Sequence, residues 1–316
     1  MARRLMRGPV AILCSGQGGQ HRDMFALTGT LPEAEPVFAA AAAHLGGIDP
    51  RDFVRDADDA ALFANKAGQL LCCTQAIAAW TALGGMVGTT AIIAGYSVGE
   101  VAAWSCAGLL DLSQTLELVA LRARLMDEAA AGLPAGLAAI VGLRRDRLDP
   151  MLKANGCELA IVNAADSVVA GGSDAALQRL CAEARAAGAS RVARLRVAVP
   201  AHTSLLLPAT AAFLEALAAA APRPPRHALL SGLDGDRVRN VVAGCEKLAR
   251  QIAQTIDWAA CLSHCAESRA ATLLELGPGR VLARLASAAA PDADARALED
   301  FRSLEGVAAW LQRGAG

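Results

Sequence analysis

The sequence predicts an α/β protein: a large layered domain with a mostly parallel sheet, and within it a smaller inserted unit of ferredoxin-like order. Two observations predict this. Short apolar runs at residues 10–14, 91–95 and 272–276 are each followed by a glycine-containing turn and then a helical stretch, as buried parallel strands are. Between about residues 136 and 198 that rhythm changes to strand (137–142), helix (145–155), strand (159–163), strand (168–171), helix (174–188) and strand (191–197). The ends of such a βαββαβ unit lie close together, so it fits inside a larger domain without disturbing its sheet. The expected division is therefore 1–134 with 199–316 for the large domain and 135–198 for the small one. Pro134 and Pro200 mark the seams. A proline-rich loop at 221–226 precedes a further strand, 228–231.

Length and composition agree with this division. A chain of 316 residues suits one large domain with a second folded into it, and 54% hydrophobic with 19% charged residues is a globular composition. No apolar run reaches the roughly eighteen residues of a spanning helix. The basic start, residues 1–7, precedes an apolar run too short for a signal peptide, and reads as the approach to the first strand. A net charge of −1 gives no support to nucleic-acid binding. Nine irregularly spaced cysteines form no disulfide framework and suit a reducing cytoplasm, where they act as small core residues. Cys261, His264 and Cys265 lie on one expected helix but lack a second ligand pair at zinc-like spacing, so no metal site is expected.

The strongest chemical signal is Gly95-Tyr96-Ser97-Val98-Gly99, placed between a strand and a helix. Small flanking residues permit a tight, strained turn that lifts a serine hydroxyl into the open. The helix N-terminus behind it offers N–H groups to a developing oxyanion. The large domain is thus expected to be α/β-hydrolase-like. A nucleophilic serine needs a base, and the chain has five histidines. His44 and His264 fall within helical stretches and His227 follows the proline-rich loop. His202, in Val199-Pro200-Ala201-His202, stands where a strand ends and a helix starts, and is preferred to His21.

On the expected helix 113–131, Arg122 has Leu118, Val119, Leu125 and Met126 at helical offsets, which turns its guanidinium to the buried face. A buried arginine must meet an anion, either a carboxylate elsewhere in the fold or a substrate. The turn from Ser15 to Gln20 fails the dinucleotide spacing, because the third glycine would fall on His21. It reads better as a backbone turn whose N–H approaches a reacting carbonyl. Gly277-Pro278-Gly279-Arg280 is open to two readings, a phosphate loop or a simple reversal.

Taken in order, the Gly16-Gln17-Gly18 turn, the elbow Gly95 to Glu100, Arg122 with Leu125-Met126, Val199 to His202, Gln251 and Glu275 to Gly279 resemble the malonyl-CoA:acyl-carrier-protein transacylase family over nearly the whole chain. The resemblance implies that Ser97 is the nucleophile, His202 its base, Arg122 the clamp for the malonyl carboxylate, Gln17 with Val98 the oxyanion hole, and Gln251 a lining residue. It also implies coenzyme A thioester as substrate with no permanently bound cofactor, and a carrier protein as acceptor. Tyr96, where fatty-acid-synthesis members usually place histidine, makes the elbow more similar to the epsilon subunit of bacterial malonate decarboxylase. That subfamily implies a carrier subunit with a phosphoribosyl-dephospho-CoA arm. Residues 135–198 carry nine Arg or Lys against six Asp or Glu, a balance suited to an acidic carrier or to an ordinary solvated surface. The competing readings are a fatty-acid-synthesis transacylase, a serine hydrolase of acidic esters, which would need an acid member of its triad, and a non-catalytic carrier-binding subunit.

Overall fold

The computed structural model describes residues 9–88 and 90–315. Its ten strands are β1 (Val10–Cys14), β2 (Ile92–Gly95), β3 (Ala135–Val141), β4 (Glu158–Ala164), β5 (Ser167–Ser173), β6 (Arg191–Arg194), β7 (Ala228–Leu229), β8 (Ile256–Asp257), β9 (Thr272–Glu275) and β10 (Asp294–Ala297). They form two five-stranded sheets. The first has the order β10-β9-β1-β2-β7 and every pair in it is parallel. β1 lies at its centre with all five residues buried, which is why its sequence is an unbroken apolar run rather than an alternating one. The helix Asn65–Leu83 packs against the helices Gly99–Cys106 and Leu112–Ala129 and is buried along most of its length. Most of its side chains are apolar for that reason, and it also buries Asn65, Gln69, Thr74 and Gln75.

The second sheet runs β6-β3-β5-β4-β8. Its first four strands have the ferredoxin-like order and pair antiparallel throughout. The helices Arg145–Asn155 and Asp174–Ala186 occur at the expected positions, the first with the expected bounds. Strand alternation divides the faces: Ala138, Ile140, Val168 and Ala170 pack with Leu148, Leu177 and Leu180 in a separate small core. Leu137, Ile161 and Val169 face the other way and join the main core.

Two details differ from the sequence reading. The strand expected at 191–197 stops at Arg194, because beyond it the chain leaves the sheet edge: Arg196 stacks over Phe63 and pairs with Asp59 at 3.1 Å. The small sheet also takes a fifth strand from far along the chain, since β8 pairs parallel with β4 through Ile161 and Ile256. All nine cysteines are free and buried. Among the described residues no helix is long and apolar enough to cross a membrane, and no group of three potential ligands stands ready for a metal ion.

Candidate active site

β2 ends at Gly95 and the next helix starts at Gly99, so Ser97 occupies the apex of a very short turn. Its φ is 57°, a left-handed conformation that costs a side-chain-bearing residue energy unless its surroundings impose it. The neighbours impose it by close approach. A Cβ on Gly95 would lie 2.2 Å from the Glu100 backbone, and one on Gly99 would lie 2.2 Å from the carbonyl oxygen of Cys14. The turn is tied down by the Tyr96 N–H, which donates to the Cys14 carbonyl at 2.9 Å.

His202 also has positive φ, 64°, and is almost wholly buried. Its backbone N–H donates to the Ile252 carbonyl at 2.8 Å. Its Nδ1 bonds the backbone carbonyl of Gln251, and a carbonyl can only accept, so the ring proton resides on Nδ1. Nε2 is then free to accept, and it lies 2.8 Å from Ser97 Oγ. Burial, with the nearby Arg122 charge, pushes the imidazole down to about 3, so it stays neutral across the neutral range, with the Nε2 lone pair unprotonated. The other histidines are engaged elsewhere: His21 pairs with Glu299 at 2.7 Å, and His227 meets the edge of Trp80. His44 closes the helix Glu35–His44, and His264 lies on Trp258–Glu267.

Arg122 emerges on the buried side of Leu112–Ala129 and is fully inaccessible. Among the described residues its one hydrogen-bond partner is not a carboxylate but an amide: Nη1 donates to Gln69 Oε1 at 2.6 Å. Nε and Nη2 are buried with no partner among the described residues. Burial pulls the guanidinium down to about 10, which still leaves it charged at neutral pH. Two donors of a buried cation are thus available to a visiting anion.

Gln69 is itself fixed by Asn65, whose Oδ1 accepts from Gln69 Nε2 at 2.8 Å and from Gln17 Nε2 at 3.3 Å. One amide cluster therefore connects the Gln17 turn to the guanidinium. That turn lies against the elbow: a Cβ on Gly16 would come within 2.6 Å of the Tyr96 carbonyl. Among the described residues, the N–H groups of Gln17 and Val98 are not taken up by other backbone carbonyls. Gln251, expected as a lining residue, is buried, with its carbonyl on His202 and its side chain turned inward to Glu100. A cleft of about 570 Å³ reaches His202 and is lined also by Glu158, Asp234, Lys247, Arg250 and Thr255. At Gly277–Arg280, the Gly279 N–H is occupied by Glu299 at 2.9 Å and Arg280 pairs with Asp300, which favours a chain reversal over a phosphate loop.

A model of the acyl transferase domain matches residues 12–299. The chain belongs to the acyl transferase family. Relatives of this acyl transferase include the malonyl CoA-acyl carrier protein transacylase of Escherichia coli K12, 31% identical over 288 residues that cover 87% of this chain and 91% of the relative. Among solved structures, the MCAT of Mycobacterium tuberculosis superposes with a TM-score of 0.87 at 30% identity, covering 97% of this chain and 99% of that one. A malonyl-transacylase solved in complex with a type II PKS acyl-carrier protein gives 0.88 at 29% identity, over 95% and 99% of the respective chains. The enzyme class and the fold expected from the sequence both stand on these matches.

Three residues of the site had no sequence signal of their own, and a fourth, Glu100, entered only as the last residue of the elbow motif with no role read for it. Asn65 and Gln69 lie on a helix buried along most of its length, whose scattered polar residues mark out no face by periodicity. Glu100 reads as an ordinary acid in the first turn of a helix. Asn163 sits on β4, far from the elbow in sequence, yet its Oδ1 accepts from the Tyr96 hydroxyl at 3.1 Å.

Proposed function

We propose that this acyl transferase moves a malonyl group from malonyl-CoA, through an ester on Ser97, to the thiol of a carrier protein. Arg122 carries the reading. A fully buried guanidinium with two unpartnered nitrogens, close enough to His202 for its charge to depress the imidazole, calls for an anionic acyl group. A planar fork suits a carboxylate bidentately, and each charged hydrogen bond is worth about 1.5–3 kcal/mol, so an acetyl group that leaves it unpaired is disfavoured.

The chemistry follows from the hydrogen bonds. His202 Nε2 takes the Ser97 proton as Oγ attacks the thioester carbonyl, and the carbonyl electron pair moves onto oxygen. The N–H groups of Val98 and Gln17 donate to that oxyanion. Collapse breaks the C–S bond, and the departing coenzyme A sulfur takes the proton from His202. The acceptor thiol then repeats the sequence in reverse, giving its proton to His202 and freeing Ser97. Among the described residues no carboxylate hydrogen-bonds His202; a peptide carbonyl orients the ring in its place.

The acceptor favoured is the carrier subunit of a malonate decarboxylase, on the strength of Tyr96 in the elbow Gly95-Tyr96-Ser97-Val98-Gly99-Glu100. Intact mass after incubation with malonyl-CoA or acetyl-CoA tests the first half-reaction. A malonyl adduct is expected on wild type and absent from Ser97→Ala, and Arg122→Ala loses the preference over acetyl. Chasing the adduct with a phosphopantetheine carrier protein and, separately, with a carrier bearing a phosphoribosyl-dephospho-CoA arm tests the second. Faster discharge to the former overturns the decarboxylase assignment, and rapid coenzyme A release with no acceptor overturns transfer in favour of hydrolysis.

A further inference from the structure

The helix that begins at the elbow carries a buried acid which the mechanism above does not use. Glu100 is 1% exposed, three residues after the nucleophile. Its Oε2 accepts from the Gly232 backbone N–H at 2.8 Å and from Gln251 Nε2 at 2.5 Å. Gln251 is the residue whose backbone carbonyl holds His202 Nδ1. The connected series therefore runs Glu100, Gln251, His202, Ser97, and its two ends are joined through the single turn of backbone between Ser97 and Glu100. A carboxylate that elsewhere would touch the imidazole has been set one residue further out, behind a glutamine.

We propose that Glu100 is a positioning residue for the Ser97–His202 pair, acting through Gln251. The Gln251 carbonyl lies in the peptide plane that it shares with the Ile252 N–H, which donates to the Ala249 carbonyl at 3.2 Å, and the Gln251 side chain is held by Glu100. Removing the Glu100 acceptor leaves the side chain unanchored and that plane held on its protein side by the Ile252 bond, so the carbonyl that fixes the imidazole tautomer tilts. Buried amide donors leave Glu100 only when an alternative acceptor is found, so the arrangement is held in place by the cost of leaving them unpaired.

Charge adds a second handle. Burial pushes the Glu100 carboxyl up to about 7, so it changes charge in the neutral range while His202 does not. The groups facing it are Arg122 from Leu112–Ala129, Asp234 from the loop after β7, Cys261 from Trp258–Glu267, and Gln251. Ionised Glu100 places negative charge behind the imidazolium that forms during attack, so acylation quickens as pH rises through about 7.

This inference rests on the proposed acylation of Ser97, and its test separates the two. Single-turnover acylation by malonyl-CoA is followed by quenched mass measurement from pH 5 to 9 in wild type, Glu100→Gln and Glu100→Ala, alongside the imidazole N–H proton resonance of histidine-labelled protein. Glu100→Gln keeps an oxygen able to accept both hydrogen bonds, so its downfield Nδ1–H resonance persists while its rate no longer varies near pH 7. Glu100→Ala loses the resonance and slows acylation by about 10- to 100-fold, with KM for malonyl-CoA little changed. An unaltered resonance and rate in Glu100→Ala overturn the proposal, as does a limb near pH 7 that survives in Glu100→Gln. Were wild type to form no acyl-enzyme, the functional reading would fall, and the resonance alone would still decide the positioning role.

Discussion

Arg122 costs the empty enzyme stability, because a desolvated guanidinium holds one amide partner and leaves two nitrogens unpaired. Replacing a buried ionic group by an apolar one of similar length commonly gains about 1–4 kcal/mol. Arg122→Met is therefore expected to raise the midpoint of thermal unfolding while abolishing preference for malonyl over acetyl thioesters; a lowered midpoint would mean that Gln69 satisfies the cation better than its geometry suggests. Arg122→Lys keeps charge but not the fork, and its kcat/KM for malonyl-CoA is expected to fall by about 10- to 100-fold, from one or two lost charged hydrogen bonds. Steady-state kinetics with both thioesters reads this directly. The sequence placed Arg122 on a buried face because its own helix is amphipathic. It did not reveal Gln69, whose helix offers no polar side against which to recognise an exception.

At the scale of elements, the Ser97 elbow depends on backbone that passes within contact distance of other backbone. Gly99 lies where a methyl would meet the Cys14 and Ser15 carbonyls of β1 and the loop beyond, neither of which can move without breaking the sheet register with β2. Gly99→Ala is expected to destabilise by about 3 kcal/mol or more and to abolish acylation together, measured by urea unfolding and by adduct mass. Stability unchanged with activity lost would place the strain in the loop instead. The elements themselves were legible wherever hydrophobic period and length agreed, as in β1, the helix Arg145–Asn155 and the βαββαβ order. The two-residue β8 was not, because so short a strand has no period of its own and is defined only by its partner β4. The end of β6 was misplaced for a related reason: its apolar alternation continues to 197, but Phe63 and Asp59, distant in sequence, draw Arg196 off the sheet.

Across the whole molecule, three buried titratable groups set opposing slopes of stability with pH. Burial raises Glu100 and Glu275 to about 7, and lowers His202 to about 3. Glu275 is the cleaner probe, since its carboxyl is held by Ser15 Oγ at 2.7 Å and the Ala283 N–H at 2.8 Å, away from the imidazole series. A raised folded pKa means that the native state binds the extra proton, so this contribution is fully present below the unfolded value of about 4.5 and is lost as pH rises through about 7. His202 acts oppositely: the unfolded chain protonates near 6.5 and the folded one near 3, so its contribution is lost as pH falls across that window. Glu275→Gln keeps an acceptor and a donor for the same partners but cannot ionise. Its stability relative to wild type is expected to climb between pH 4.5 and 7 and to level off above, by on the order of 3 kcal/mol for a shift of this size. Urea unfolding of both proteins at pH 4.5, 6 and 8 measures it, and a difference that stays constant with pH would place the Glu275 proton outside the folding equilibrium.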